Sequence, residues 1–301
     1  MKKKPFVKVL SLALAAITLF VLCACGTAAS SPAAGPVSDA APTEASATSN
    51  GVLDEIKASG ELNITLSPDF APMEFIDSSK DGQEQYVGLD VFLAKYIADY
   101  IGVKLVIEPM SFDACQTAVY TASVPMSVSG YVWTEERAES YEISDYYYDG
   151  DNKIEPVILI RTADAEKYTS SEDFNGVDVG AQNASLQMQL VTSQLPDANP
   201  VAVGDVGTGV LELQNGSIEA LAVAKGNAEI IMDANPDLVL CPWEFTITEE
   251  TEAFVILITK GETALLNVVN EALAKAYSEG MYGAWHDEAV ALAKVVNGTE
   301  E

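Results

Sequence analysis

The chain has 301 residues, 49% apolar and 20% charged, enough for a sizeable core and for about two domains at roughly 150 residues each. Its 16 Lys+Arg against 45 Asp+Glu give a formal net charge of −29. That balance excludes nucleic acid, whose phosphates are held by clustered Lys and Arg, and docking of the protein body on an anionic membrane. One His and four Cys leave too little for a His-rich metal site or a disulfide scaffold, so no metal and no cofactor are expected.

Lys2, Lys3, Lys4 and Lys8 open the chain, and an uncharged apolar run follows from Val9 to Ala24. The run is shorter than the about 20 residues of a bilayer span, and with its small flanking residues it reads as a secretory signal. It ends L-C-A-C-G (Leu22 to Gly26), which resembles a bacterial lipobox with Cys25 as the lipid-bearing residue. Cys23 fits less well, because Leu22 precedes it where cleavage needs a small residue. An uncleaved signal anchor is the alternative. Loss of residues 1–24 removes four Lys and no acid, leaving 12 basic against 45 acidic residues, or −33. Residues 25–50 are mostly Ala, Ser, Pro, Thr and Gly, a composition that reads as a flexible tether.

Past Gly51 the pattern turns globular. Leu62, Ile64 and Leu66 alternate as in a strand. Phe92 to Ile101 form a wide apolar helical stripe that Gly102 is placed to end. Val103 to Ile107 reads as strand, Phe112 to Ala122 as helix, and Met126 to Ser129 as strand. A further strand is expected over Ile154 to Ile160. A second βα series follows: Val177 to Gly180, a helix near Ser185 to Gln194, Pro200 to Val203, a helix near Asp205 to Leu213, and Ile218 to Val223. Glu252 to Thr259 reads as a last strand, followed by a long amphipathic helix stopped at Gly280 and a final one carrying Trp285, Ala289 and Leu292. Strands alternating with helices predict an α/β fold.

Several short motifs occur in a fixed order: G-E-L-N-I-T-L-S-P-D-F-A-P-M-E-F (Gly60 to Phe75), G-L-D-V-F (Gly88 to Phe92), M-S-F-D (Met110 to Asp113) and S-G-Y-V-W-T-E-E-R (Ser129 to Arg137). S-D-Y-Y-Y (Ser144 to Tyr148), F-N-G-V-D-V-G (Phe174 to Gly180), N-G-S-I-E-A-L (Asn215 to Leu221) and S-E-G-M-Y-G-A-W (Ser278 to Trp285) continue the order. Over about Gly51 to Ala293 the chain resembles family 3 extracellular solute-binding proteins, which feed polar amino acids to ABC importers. The resemblance implies a two-lobe, type II periplasmic-binding-protein-like fold with a discontinuous first lobe and two hinge crossings. Lobe 1 would be 51–151 plus 252–301, and lobe 2 would be 152–251, with ligand in the cleft.

The resemblance also implies site residues. Arg137 is expected on the ligand carboxylate, which a guanidinium grips with two parallel hydrogen bonds. The alternative is a surface pairing with Glu135, Glu136 or Glu139. Phe70 and Phe112 fall where aromatic rings sandwich the ligand, ordinary core packing being the alternative. Asp90, Ser129 and Gly130 belong to the aligned motifs, and Gly130 would let the backbone approach the ligand. Thr134 is expected to cap the T-E-E-R turn.

Departures from the family pattern bear on the ligand. Val132 stands where a Ser or Thr helps hold the carboxylate, and Ala184-Ser185-Leu186 where a G-T-S loop offers N–H groups. Ala224 stands where an acid binds the ligand's ammonium, and Lys225 beside it favours an anionic group. Glu219, Asp205 or Glu229 are the candidate substitutes. The expected ligand is an amino acid or related small carboxylate. The expected partners are an ABC permease and, through the lipid, the membrane, with the chain itself a monomer. A cyclohexadienyl dehydratase-like enzyme on the same fold is the main alternative. Calcium capture by Asp145 to Asn152 fails the loop pattern, and a sensory role would need a separate partner. Cys115 reads as core, in a different lobe from Cys241.

Overall fold

The computed structural model describes residues 51–147, 155–247 and 254–296. The expected signal (1–24), the tether with Cys25 (25–50) and the two expected crossings with their lobe boundaries lie outside the described residues.

The first lobe opens with α1 (Gly51–Ser59), absent from the sequence-based expectations, and β1 (Glu61–Leu66). Three short strands follow, β2 (Asp69–Phe70), β3 (Glu74–Ile76) and β4 (Tyr86–Val87), which pair as a small antiparallel sheet. They are too short to leave a period in the sequence. Next come α2 (Leu89–Ile101), ended by left-handed Gly102 as expected, β5 (Lys104–Pro109) and α3 (Phe112–Tyr120). Then β6 (Met126–Val132), α4 (Glu135–Ser140) and β7 (Glu142–Ile143) complete this run.

The second lobe holds β8 (Pro156–Arg161), β9 (Asp178–Gln182), α5 (Leu186–Gln194), β10 (Asn199–Val203) and α6 (Val206–Asn215). It continues with β11 (Ala220–Ala224), α7 (Lys225–Ala234) and β12 (Leu238–Leu240). The chain then supplies β13 (Phe254–Ile258), α8 (Thr263–Ser278) and α9 (Met281–Val296).

Two five-stranded sheets result, ordered β5-β1-β6-β13-β7 and β10-β9-β11-β8-β12. In the first, β1 runs parallel to β5 and β6, while the late strand β13 inserts antiparallel between β6 and β7. The first lobe is therefore discontinuous in sequence. In the second, β9 runs parallel to β10 and β11, and β8 runs antiparallel to β11 and β12. Every residue of β11 and β13 is buried, as expected of strands covered on both faces by helices. Leu62, Ile64, Leu66, Met126, Val128 and Ile256 have no exposed surface. These rigid sheets leave their parallel strands' carboxyl ends for function, the usual ligand position in open α/β sheets.

Candidate functional site

Four strand ends build the site. β1 runs out into Ser67 to Phe70, β6 ends at Gly130 to Val132, β9 leads into Asn183 to Leu186, and β11 leads into Lys225 to Asn227. Between the first three lies a cleft with about 430 Å³ of space, part of it open to solvent. Of the residues expected at the site, it brings together Phe70, Phe112, Ser129, Gly130 and Val132 with Arg137, Ser185 and Leu186. Asp69, Glu74, Gln182, Gln187 and Phe254 complete the lining and were not among the expected residues.

Arg137 sits in the first turn of α4, where the Thr134 hydroxyl accepts its backbone N–H at 3.2 Å, so the expected cap is present. Its side chain turns inward and is 4% exposed. One terminal nitrogen donates to the Val132 carbonyl (2.8 Å), the other to the Ala184 carbonyl (3.1 Å), and Nε to Gln116 Oε1 (3.3 Å). A guanidinium has five N–H donors, so one hydrogen on each terminal nitrogen stays available. The planar cation lies over the rings of Tyr131 (5.3 Å) and Phe112 (5.8 Å). No carboxylate reaches it within salt-bridge distance among the described residues, including Glu135, Glu136 and Glu139. Burial lowers its pKa, opposed through space by Tyr131, Tyr141 and Glu136.

The opposite wall is acidic. Glu74 is buried, and its Oε1 accepts the Ser129 hydroxyl at 2.6 Å. Its Oε2 has no donor among the described residues. Asp90 lies behind it, within hydrogen-bond reach of the Glu74 carboxyl. Burial pushes Asp90 up to about 6, and pushes Glu74 well above the usual carboxylate range, with the Asp90 charge adding to the shift. Two adjacent carboxyls in a buried site share a proton rather than both ionising. Asp69 accepts from Ser67 Oγ (2.7 Å), Gln182 Nε2 (2.9 Å) and the Val206 N–H (2.8 Å); burial raises its pKa.

Two expectations, for Asp90 and Lys225, need correction. Asp90 does not line the cavity. Its oxygens accept the Gly130 N–H (2.7 Å) and the Tyr147 hydroxyl (2.8 Å), so it positions the wall. Gly130 lines the cavity, and its missing side chain also leaves room for Phe70. Its φ is +56°, and a Cβ there would stand 3.0 Å from the Phe70 ring. Lys225 faces a neighbouring cavity and is ion-paired with Glu155, so its charge is not free for an anion. Ser185 caps α5 by accepting the Met188 N–H at 3.1 Å, while Ala184 (φ +59°) presents its carbonyl to Arg137. Glu74 and Asp69 stood in the sequence, inside the D-F-A-P-M-E-F run. Gln182, Gln187 and Phe254 carried no motif, because only the meeting of two sheets brings them here.

The lobes meet across this cavity. Asp69 reaches Gln182 and the N-terminus of α6, Asn183 Nδ2 donates to Asp113 Oδ2 (3.0 Å), and Asn227 Nδ2 donates to the Ala71 carbonyl (3.2 Å). Cys115 and Cys241 are both buried free thiols.

Two α/β lobes of this topology with a ligand-sized cavity at their facing strand ends define a solute-binding protein of the two-lobe type. Residues 62–289 match the bacterial extracellular solute-binding proteins, family 3, and the chain belongs to that family. It is similar to a probable histidine-binding protein of Campylobacter jejuni, 24% identical over 236 residues, 78% of this chain and 87% of the relative. It is also similar to the L-arginine-bound amino acid ABC transporter substrate-binding protein AbpA of Streptococcus pneumoniae. That match has a TM-score of 0.73 and 28% identity, covering 80% of this chain and 98% of that one. A third likeness is to an ancestral amino acid-binding protein described as a precursor of cyclohexadienyl dehydratase. There the TM-score is 0.68 and the identity 27%, over 79% of this chain and 99% of that one.

Proposed function

We propose that the protein captures an amino acid or related small carboxylate between its lobes and presents it to the permease of an ABC importer. The observation that carries this reading is the buried Arg137 guanidinium, with two unused N–H donors and, among the described residues, no carboxylate of its own. A buried cation without a partner is costly, and a ligand carboxylate supplies the partner in bidentate geometry. The names of the relatives, which speak of histidine and arginine, point to amino acids. Phe70 and Phe112 wall the ligand, Ser185 and Leu186 close it from lobe 2, and Ser129 and Val132 complete the first-lobe side. On this reading lobe 1 is 51–151 with 252–301 and lobe 2 is 152–251. The protein acts outside the cell as a monomer held by lipid on Cys25.

The test is a thermal-shift screen of amino acids and small carboxylates on the chain from Cys25 onward. A ligand at 100 times its Kd stabilises by about 2.7 kcal/mol. Stabilisation by at least one carboxylate, lost in Arg137→Ala, is expected; no carboxylate response would overturn the reading. A second reading has one observation in its favour. Glu74 stands in the cavity wall, and burial pushes its carboxyl well above the usual carboxylate range, toward the acid form a dehydratase needs. Turnover of prephenate or arogenate by the purified protein would replace transport binding with catalysis; we expect none.

A further inference from the structure

Each nitrogen of the Arg137 guanidinium donates once to the protein. Nη1 donates to the Val132 carbonyl, Nη2 to the Ala184 carbonyl and Nε to Gln116 Oε1. Gln116 carried no motif and does not line the cavity in front of the cation. We infer that Gln116 is a positioning residue for the carboxylate clamp: it fixes the plane of the guanidinium from the first lobe without giving it a counter-charge. The inference rests on the proposed carboxylate reading and deepens it by saying how the cation is kept ready.

Gln116 lies half-buried on α3, one helical turn past Phe112. Its amide can stand only one way round. Oε1 faces the Nε–H of a guanidinium, which has donors and no acceptor. Nε2 faces the carbonyls of Phe112 (3.3 Å) and Ala184 (3.4 Å), which have no donor. A flipped amide would set N–H against N–H and oxygen against oxygen. The backbone at this point is held as well, because the Tyr141 hydroxyl donates to the Gln116 carbonyl at 3.0 Å.

The three acceptors around the cation differ in where they stand. Val132 on β6 and Gln116 on α3 belong to the first lobe with Arg137, whereas Ala184 follows β9 in the second. Separation of the lobes removes the Nη2 contact and leaves the other two. Contacts at both Nη1 and Nε set the plane of the group, while Nη1 alone would leave it free to turn about one bond. Donors fixed in advance meet a carboxylate without a further ordering cost, and a two-pronged grip needs a set plane.

The charge argument is separate. In a chain with 45 Asp+Glu, the side chain that accepts from Nε is an uncharged one. A carboxylate there would satisfy Nε equally well. It would also neutralise the cation and oppose the Ala184 carbonyl with a second acceptor. The amide satisfies Nε, leaves the charge to the ligand and donates to the second lobe as the lobes close.

The chain from Cys25 onward has two arginines, Arg137 and Arg161, so its arginine Nε–H groups give two signals in a nitrogen-edited NMR spectrum. Arg161 Nε donates to Asp164 and serves as the internal control. In the ligand-free protein, Gln116→Leu is expected to quicken solvent exchange of the Arg137 Nε–H at least tenfold, with Arg161 unchanged within twofold. Calorimetry with L-arginine, L-histidine, L-glutamine, L-glutamate and succinate reads the consequence. For each probe that binds, Gln116→Leu is expected to raise Kd at least tenfold. Gln116→Glu separates position from charge: the Arg137 exchange should stay slow while Kd rises at least tenfold. A merely structural role would not pair a well-held cation with weak binding. Unchanged Arg137 exchange in Gln116→Leu, or a Kd within twofold of wild type in either variant, overturns the inference. If Gln116→Leu does not fold, Gln116→Glu decides alone. If no probe and no other small carboxylate binds the wild type, the carboxylate reading itself fails and the inference falls with it; the exchange result, which needs no ligand, tells the two failures apart.

Discussion

Arg137 and Arg161 are the chain's two arginines, one in each lobe, and the lobes treat them in opposite ways. Arg161, at the end of β8, finds every partner inside its own lobe. It donates to the carbonyls of Leu213 (2.6 Å) and Ile218 (2.9 Å) and pairs with Asp164 at 3.0 Å. Arg137 is more deeply buried and meets carbonyls, an amide and two aromatic faces, yet no carboxylate. A cation that holds a fold together is given its counter-charge by the fold. On the proposed reading Arg137 is the other kind of cation: placed, desolvated and left partly unsatisfied until a ligand supplies the counter-charge.

The largest break in this comparison is a loss of binding. Arg137→Ala should raise the Kd of whichever small carboxylate binds by at least 100-fold, about 2.7 kcal/mol, measured by calorimetry. A Kd within threefold of wild type would show that the cation belongs to the structure, like Arg161. The reciprocal change sharpens the contrast. Arg161→Ala strands two backbone carbonyls at the end of α6 and should cost about 1–3 kcal/mol of folding stability in urea unfolding. Its ligand affinity should stay unchanged. A loss of affinity without a loss of stability would mean the two arginines do not divide the work this way.

The sequence showed this contrast only in part. Arg137 was legible because S-G-Y-V-W-T-E-E-R places it one turn past a strand, behind a Thr cap, and the cap is there. Its rivals Glu135, Glu136 and Glu139 were legible too, but a string of residues does not say which face of a six-residue helix is buried. Most strands and helices of both lobes followed from period and turn residues, but α1, β7, α7 and β12 were not expected. The three-stranded sheet of β2, β3 and β4 did not follow either, because two- and three-residue strands carry no period. Asp90 and Gly130 illustrate the limit. Both stand in motifs expected at the site; Gly130 lines it, while Asp90 supports it by accepting the Gly130 N–H at 2.7 Å. Motif order marks neighbourhood; only the assembled strand ends separate a wall from its support.

A smaller effect concerns the acids facing Arg137. The Glu74–Asp90 pair has raised folded-state pKa values, so the folded state binds more protons than the unfolded chain. Such a pair adds stability that is fully present below the ordinary carboxylate range near pH 4. That stability is lost as pH rises through the pair's raised pKa values, Asp90 being pushed up to about 6. Tyr147 and Ser129 donate to the pair and Asp69 adds negative charge. Urea unfolding between pH 5 and 8 should show a fall with pH in the wild type that is shallower in Glu74→Gln, which keeps the shape and cannot ionise. Parallel curves would mean that the pair does not share a proton.

The smallest expected effect tests the contact through which the second lobe reaches Arg137. Ala184 has φ +59° and directs its carbonyl at both Arg137 (3.1 Å) and Gln116 (3.4 Å) of the first lobe. A left-handed backbone costs a residue with a Cβ roughly 1–2 kcal/mol, and glycine escapes that cost. Glycine in turn has more freedom to lose on folding, about 0.4–1 kcal/mol. The difference favours Ala184→Gly by roughly 0.5 kcal/mol. The carbonyl keeps its direction in the variant, so ligand affinity should stay within twofold. A stabilised variant with unchanged affinity shows that the loop takes this strained form in solution, with the Arg137 contact holding it there. A destabilised variant shows that alanine is not left-handed in the free protein. The Ala184 carbonyl would then be no standing partner of Arg137, and the cation would be still less satisfied before its ligand arrives.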